Sequence, residues 1–242
     1  MGRAFEFRKA RKFKRWGAMS KLFTRIGKDI AMAVKAGGPD PHSNTRLRVA
    51  IQNAKGANMP KANVEAAIKR ASNKDEKDYT EVVYEGYGPH GIAFLIETAT
   101  DNTNRTVASM RAILTRAGGS LGTSGSVEFM FDRKGVFRIP AEGVNLEELE
   151  LELIDAGAED ILEEEGEIHI YTEFSDFGSM QKALEDLGIT ITSSQLQRFP
   201  NLTKELTAEQ EEDIIKMIDK LEEDDDVQAV YHTLHFTHQN EE

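Results

Sequence analysis

The sequence predicts an α+β fold: an N-terminal three-helix domain, then two ferredoxin-like α+β domains, the middle one completed by a C-terminal helix and strand. Three observations predict it. Apolar residues recur at helical spacing as far as Ala71, the period shifts to strand-like alternation from about Tyr79, and the stretch from Gly135 to Arg198 runs in the order βαββαβ. The domain boundaries that follow are 1–78, 79–133 with 204–238, and an insertion at 134–203.

The elements take the following order. Leu22, Phe23, Ile26, Ile30 and Val34 share one helical face, and the helix stops at Gly37-Gly38-Pro39, where glycine tolerates positive φ and proline cannot extend the ladder. Leu47, Ala50, Ile51 and Ala54 line a second helix. Val64, Ala67, Ile68 and Ala71 line a third, with Asn58 and Pro60 as its start signals. "EVVYEGYGPHGIAFLIETAT" reads as two strands about a Gly/Pro turn, "DNTNRTVASMRAILTRAGG" as a capped helix, and "SVEFMF" as a strand. The inserted domain is laid out as strand (Gly135 to Ile139), helix (Leu146 to Ala156), strands (Glu159 to Leu162 and Ile168 to Glu173), helix (Phe177 to Leu187) and strand (Ile189 to Arg198). A helix from Ala208 to Leu221 and a strand from Val227 to Phe236 remain. Alone they bury too little, so they are expected to pack on the sheet of residues 80 to 132.

Charge is distributed unevenly. The 242 residues carry a formal charge of −12, but the chain up to Thr80 holds 19 Lys and Arg against 7 Asp and Glu, leaving 11 against 35 for the remainder. The regions therefore differ in sign, +12 against −24. "FRKARKFKRW" alone places six cations between Arg8 and Arg15. The leader has no uninterrupted apolar stretch of the secretory kind and reads as mature, functional sequence. No apolar run approaches a membrane span. The absence of cysteine excludes disulfides, thiolate metal sites and cysteine nucleophiles, and suits a reducing, cytoplasmic location.

Several motifs suggest chemistry that their context does not support. "GYGPHG" matches a dinucleotide-binding pattern, but strand-like sequence follows where a helix N-terminus is required, which favours a turn. "GGSLG", with Ser120 at its centre, leaves a helix and enters a strand, the reverse of a nucleophile elbow. His232, His235 and His238 invite a metal reading, yet 232 and 235 point to opposite faces of a strand. "EEEGE" and "EEDDD" read as solvated turns. No cofactor, metal or catalytic constellation is expected.

The basic leader attracts phosphate backbones through counterion release, and Phe5, Phe7, Phe13 and Trp16 either stack on bases or dock on the helical domain. The candidate nucleic-acid contacts are Arg3, Arg8, Lys9, Arg11, Lys12, Lys14, Arg15, Trp16, Lys21, Arg25 and Lys28. To these are added Asn58, Met59 and Pro60 of "NMP", and Asn102, Asn104 and Arg105 of "DNTNR". The last motif reads equally as a helix cap. The helices around Gly56 also have helix-turn-helix spacing, with Asn63, Glu65, Lys69 and Arg70 on the second, a pattern shared by many small bundles.

"KLFTRIGKDI", "GGPDP", "NTRLRVAI", "NMP", "YEGYGP", "DNTNRT", "GGSLGTSGSV", "AGAED" and "DDVQAVYH" occur in an order that resembles the YebC/PmpR family over nearly the whole chain. The leader departs from the common family opening "MAGHSKW". The resemblance implies a cytoplasmic, non-enzymatic protein with a helical domain and two α+β domains. It also implies a role as a DNA-binding transcriptional regulator or, as in mitochondrial relatives and bacterial relatives linked to stalled ribosomes, in translation. Ribosomal RNA is the favoured partner here and promoter DNA the second. A third reading has the basic segment binding acidic domains of the same chain or of another copy, which predicts salt-sensitive self-association; the oligomeric state is left open.

Overall fold

The computed structural model describes residues 17–73 and 76–237. It divides into two compact units. One holds the chain through Lys28, Lys77–Asp132 and the chain from Phe199 onward, and the other holds Asp29–Glu76 and Arg133–Arg198. The α+β class is observed, with helices first and antiparallel pairing in both main sheets.

Helix α1 spans Gly17–Gly37, α2 Thr45–Gly56 and α3 Lys61–Ala71. The predicted stop after α1 is present, with Gly38 at φ +86°. Asn44 then serves two helices. Its Nδ2 donates to the Ala33 and Gly38 carbonyls at the end of α1, and its Oδ1 accepts from Leu47 N to cap α2.

In the first unit, β1 (Thr80–Tyr87) and β2 (Ala93–Thr100) form the expected hairpin, followed by α4 (Thr103–Arg116) and the short β3 (Ser120–Leu121). Further on lie β8 (Lys204–Glu205), α7 (Ala208–Glu222), β9 (Val227–His232) and β10 (Leu234–His235). The main sheet has the order β3-β1-β2-β9, so the C-terminal helix and strand do return to it as expected. Strand β2 is buried on both faces. Phe94 and Ile96 meet Met110 and Leu114 of α4 and Ile214 and Met217 of α7, while Ala93 and Leu95 meet Val127, Phe131 and Tyr231.

Two expectations are corrected. "SVEFMF" is not a strand: Glu128–Met130 form a 3-10 turn. The amides a ladder would need are taken by the Glu85 carboxylate, which accepts from Gly125 N (2.6 Å), Val127 N (2.7 Å) and Glu128 N (2.8 Å). The run Val227–Phe236 is also divided, because Thr233 exchanges bonds with Ala93 through its amide and hydroxyl while its carbonyl accepts from Lys204 N. After that residue the chain pairs with β8 instead of β2.

In the second unit, β4 (Phe131–Pro140, lying here from Arg133), α5 (Leu146–Leu153), β5 (Ala158–Glu164), β6 (Glu167–Glu173), α6 (Phe177–Asp186) and β7 (Ser193–Pro200) follow the predicted βαββαβ order. The sheet order β5-β6-β4-β7 is the ferredoxin-like arrangement. Both helices pack on one core, through Leu149, Leu153, Met180 and Leu184 against Phe137, Ile139, Ile168 and Ile170. "EEEGE" is the β5–β6 turn, with Glu165 at φ 54° and Gly166 at φ 81°.

Helix α2 lies against the edge strand β7. Asn53 donates through Nδ2 to the Ser194 carbonyl (2.8 Å) and accepts from Ser194 N (2.7 Å), standing in for a neighbouring strand. Gly56 permits this approach, since a Cβ there would lie 1.7 Å from the Thr192 carbonyl oxygen.

Candidate nucleic-acid interface

Of the candidate contacts, Arg3, Arg8, Lys9, Arg11, Lys12, Lys14, Arg15 and Trp16 lie outside the described residues. The remaining basic candidates on α1, Lys21, Arg25 and Lys28, are spaced four and three residues apart and share one face of the helix. That face is turned inward. Lys21 Nζ donates to the Glu222 carbonyl (3.1 Å) and Arg25 Nε to the Val227 carbonyl (3.1 Å). Lys28 Nζ donates to Ala99 O (2.8 Å), Asp225 O (2.7 Å) and Asp226 Oδ1 (3.0 Å).

An ammonium has three donors, and all three of Lys28 are assigned within the protein. The residue is 7% exposed and lies beneath the Tyr79 ring, 5.1 Å from its centroid. Lys28 is therefore a structural cation, and its charge is not available to a phosphate.

Its counter-ion, Asp226, also draws in Arg105. Arg105 Nη2 reaches Asp226 Oδ2 at 2.7 Å, and the same oxygen accepts from Thr106 (2.8 Å) and Thr100 (3.0 Å) hydroxyls. Burial acts to raise the Asp226 pKa, but the bonds from Arg105, Lys28 and Thr106 outweigh it and hold the carboxyl at about 2. Asp226 therefore departs from the solvated turn expected of "EEDDD". No local signal marks Asp226, because its partners lie more than a hundred residues upstream.

Arg105 also pairs with Asp101 at 2.9 Å, and Lys77 pairs with Asp101 at 2.7 Å. Hydrogen bonds from Lys77 and then Arg105 lower the Asp101 pKa. Asn102 caps α4, its Oδ1 accepting from Arg105 N, while Asn104 is exposed on the first turn. The cap reading of "DNTNR" is thus present in the geometry.

In the other unit, Asn58, Met59 and Pro60 form the joint between α2 and α3. Asn58 takes the left-handed conformation (φ 57°), Met59 N returns to the Ala54 carbonyl, and Pro60 leads into α3. Helix α3 buries Val64, Ala67 and Ala71 and leaves Lys61, Asn63, Glu65, Lys69 and Arg70 exposed. This is the polar face noted from the sequence. Glu65 is countered by Lys61 at 3.6 Å.

The other motifs occupy structural positions. "GYGPHG" is the β1–β2 connection, with His90 and Gly91 at positive φ, and a Cβ at Gly88 would meet Phe94 at 2.6 Å. Ser120 sits in β3, after α4. His232 packs between the rings of Phe94 and Phe236. Among the described residues no three His, Asp or Glu side chains converge to hold a metal ion, and no helix is long and apolar enough to cross a membrane.

Residues 3–74 match the TACO1/YebC protein N-terminal domain and residues 79–234 the TACO1/YebC second and third domain. A relative from Flavobacterium johnsoniae is 62% identical over 97% of this chain and 99% of its own, and one from Parabacteroides distasonis is 60% identical over 97% of both. Each carries the name probable transcriptional regulatory protein. The crystal structure of a conserved hypothetical protein from Aquifex aeolicus is similar with a TM-score of 0.81, 39% identity and 96% coverage of both chains. With both domain models matched in order across nearly its full length, the chain belongs to the TACO1/YebC family.

Proposed function

We propose that this chain is a non-enzymatic, nucleic-acid-binding regulator of gene expression, acting on transcription through DNA. The observation that carries the proposal is the concentration of cations in the leader, six between Arg8 and Arg15, at the head of a chain of formal charge −12. The relatives' name supports the transcriptional reading over the ribosomal one favoured from sequence. The exposed face of α3 adds a second argument. Asn63, Lys69 and Arg70 stand on a helix after a short joint, the kind of element that base-edge reading requires.

In this reading Arg3, Arg8, Lys9, Arg11, Lys12, Lys14 and Arg15 hold phosphates and Trp16 stacks or docks. Asn58 to Pro60 orient α3. Lys21, Arg25, Lys28 and Arg105 secure the fold that carries the leader. The acidic remainder repels polyanions and confines contact to the cationic surface.

Fluorescence anisotropy of the full chain with labelled duplex DNA, repeated with RNA over a range of salt, tests the proposal. Binding that falls steeply with salt and is abolished by charge reversal at Arg11, Lys12 and Arg15 is expected; binding indifferent to salt refutes it. In-cell crosslinking with sequencing of the attached nucleic acid separates the targets, promoter DNA supporting the proposal and ribosomal RNA overturning its transcriptional part.

A further inference from the structure

Helix α5 and the turn after it carry an exposed apolar surface. Leu149 and Leu153 point into the core, whereas Leu151 is 74% exposed and Ile154 64% exposed. These two are three residues apart and so adjoin on the outer face. Glu147 and Glu148 lie one turn before Leu151, Glu150 precedes Ile154 by one turn, and Asp155 follows Leu151 by one turn; all four are exposed. None of the four carboxylates has a cationic partner among the described residues. Elsewhere on this unit, Glu159, Glu173 and Glu185 are each countered by a Lys or Arg.

The surface is thus two large aliphatic side chains ringed by carboxylates that no described cation counters. Nucleic acid and anionic membranes are repelled by it, and two such faces repel each other. Its complement is a cationic segment with interleaved apolar groups. The chain supplies one, "FRKARKFKRW", where Phe7, Phe13 and Trp16 alternate with six cations.

We infer that the outer face of α5 docks the basic leader of a second copy of this chain. Leu151 and Ile154 receive aromatic side chains, and the surrounding carboxylates pair with Lys and Arg. The contact is heterologous, one copy's leader on the next copy's α5, so every assembly keeps one free leader at one end and one free α5 at the other, and association continues as concentration rises. The inference concerns the acidic surface and does not depend on the nucleic-acid reading.

Sedimentation velocity on the full, nuclease-treated chain tests it, because nuclease treatment removes association bridged by nucleic acid. Self-association is expected at about 0.1 M salt and its loss at about 1 M, where the Debye length shortens from ~10 Å to ~3 Å. Two variants divide the contact, Leu151→Asn/Ile154→Asn on the acceptor and Arg11→Gln/Lys12→Gln/Arg15→Gln on the donor. Leu151 and Ile154 are exposed, and circular dichroism checks that each variant folds. Each alone should associate at least ~10-fold more weakly than the parent chain. Mixed, they should form a dimer, since the acceptor variant still offers an intact leader and the donor variant an intact α5.

A parent chain that stays monomeric at low salt overturns the inference. So does a chain that becomes more compact at low salt without associating, which would mean the leader docks on its own copy. Undiminished association of the acceptor variant, or a mixture that fails to dimerise, overturns the assigned surface.

Discussion

Asp226→Asn removes one charge from the centre of the first unit while keeping an acceptor oxygen of similar size. In the parent protein the carboxyl titrates at about 2, against 3.8 for an unperturbed aspartate. The depression corresponds to ~2 kcal/mol of stability carried by the ionised form. A second cost arises because Lys28, 7% exposed, loses its counter-ion. Breaking one side of a buried pair costs ~3 to 5 kcal/mol. The retained amide oxygen moderates this, so ~2 to 4 kcal/mol is the expected loss at pH 7.

The pH dependence has a defined sign. The folded pKa is depressed, so the stabilisation is fully present above the unfolded value of 3.8 and is lost as pH falls through about 2. The ionisation contribution should therefore be constant from neutral pH to about pH 5, roughly halve by pH 3 and continue to fall below it. Urea denaturation of parent and variant, followed by circular dichroism at pH 7, 5, 4 and 3, measures the difference directly. A variant within ~0.5 kcal/mol of the parent at pH 7 refutes the reasoning. A difference that stays constant from pH 5 to pH 3 shows that the loss is steric and not ionic.

Gly56→Ala places a methyl 1.7 Å from the Thr192 carbonyl oxygen and must displace α2 from β7. A loss of ~2 kcal/mol or more is expected in thermal melts, with faster amide exchange in α2 and at Ser194. Glu85→Gln turns an amide NH2 toward one or more of the three backbone donors that the carboxylate now satisfies. It should cost ~1 to 3 kcal/mol and raise exchange at Gly125, Val127 and Glu128, whereas unchanged protection there would show that the carboxylate does not hold the loop. Replacing the six cations between Arg8 and Arg15 by Gln should lower the slope of log binding constant against log salt by up to ~5 while leaving the melting temperature in place. An unaltered slope removes the leader from the interface.

What the sequence made legible was decided by neighbours along the chain. The stop at Gly37-Gly38, the cap at Asn102, the β1–β2 turn and the βαββαβ order all follow from residues within one or two turns of each other. What it missed was decided at long range. "SVEFMF" has the composition of a strand, but its amides are claimed by Glu85, forty residues upstream. Val227–Phe236 alternates like one strand, but Thr233 meets Ala93 and passes the chain to β8. Gln52 and Asn53 look like ordinary polar positions on α2 until Ser194 is placed beside them.

The same distinction governs the candidate site. A count of charges treats Lys12 and Lys28 alike, because formal charge carries no information about burial. Lys28 nevertheless occupies a helical face with Lys21 and Arg25 at intervals of seven and three, and a stripe at that spacing meets whatever the helix packs against. Here it meets the carbonyls at the end of α7 and the start of β9, which accept from these cations as a phosphate oxygen would. Apolar patterning alone gave no warning, since Ile26 and Ile30 account for the buried side of α1 without any Lys being required there. The cations in a basic segment that remain to bind a polyanion are those left after its own fold has used what it needs. In this chain that condition removes Lys28 from the interface and shifts the proposed binding to the leader and the exposed face of α3.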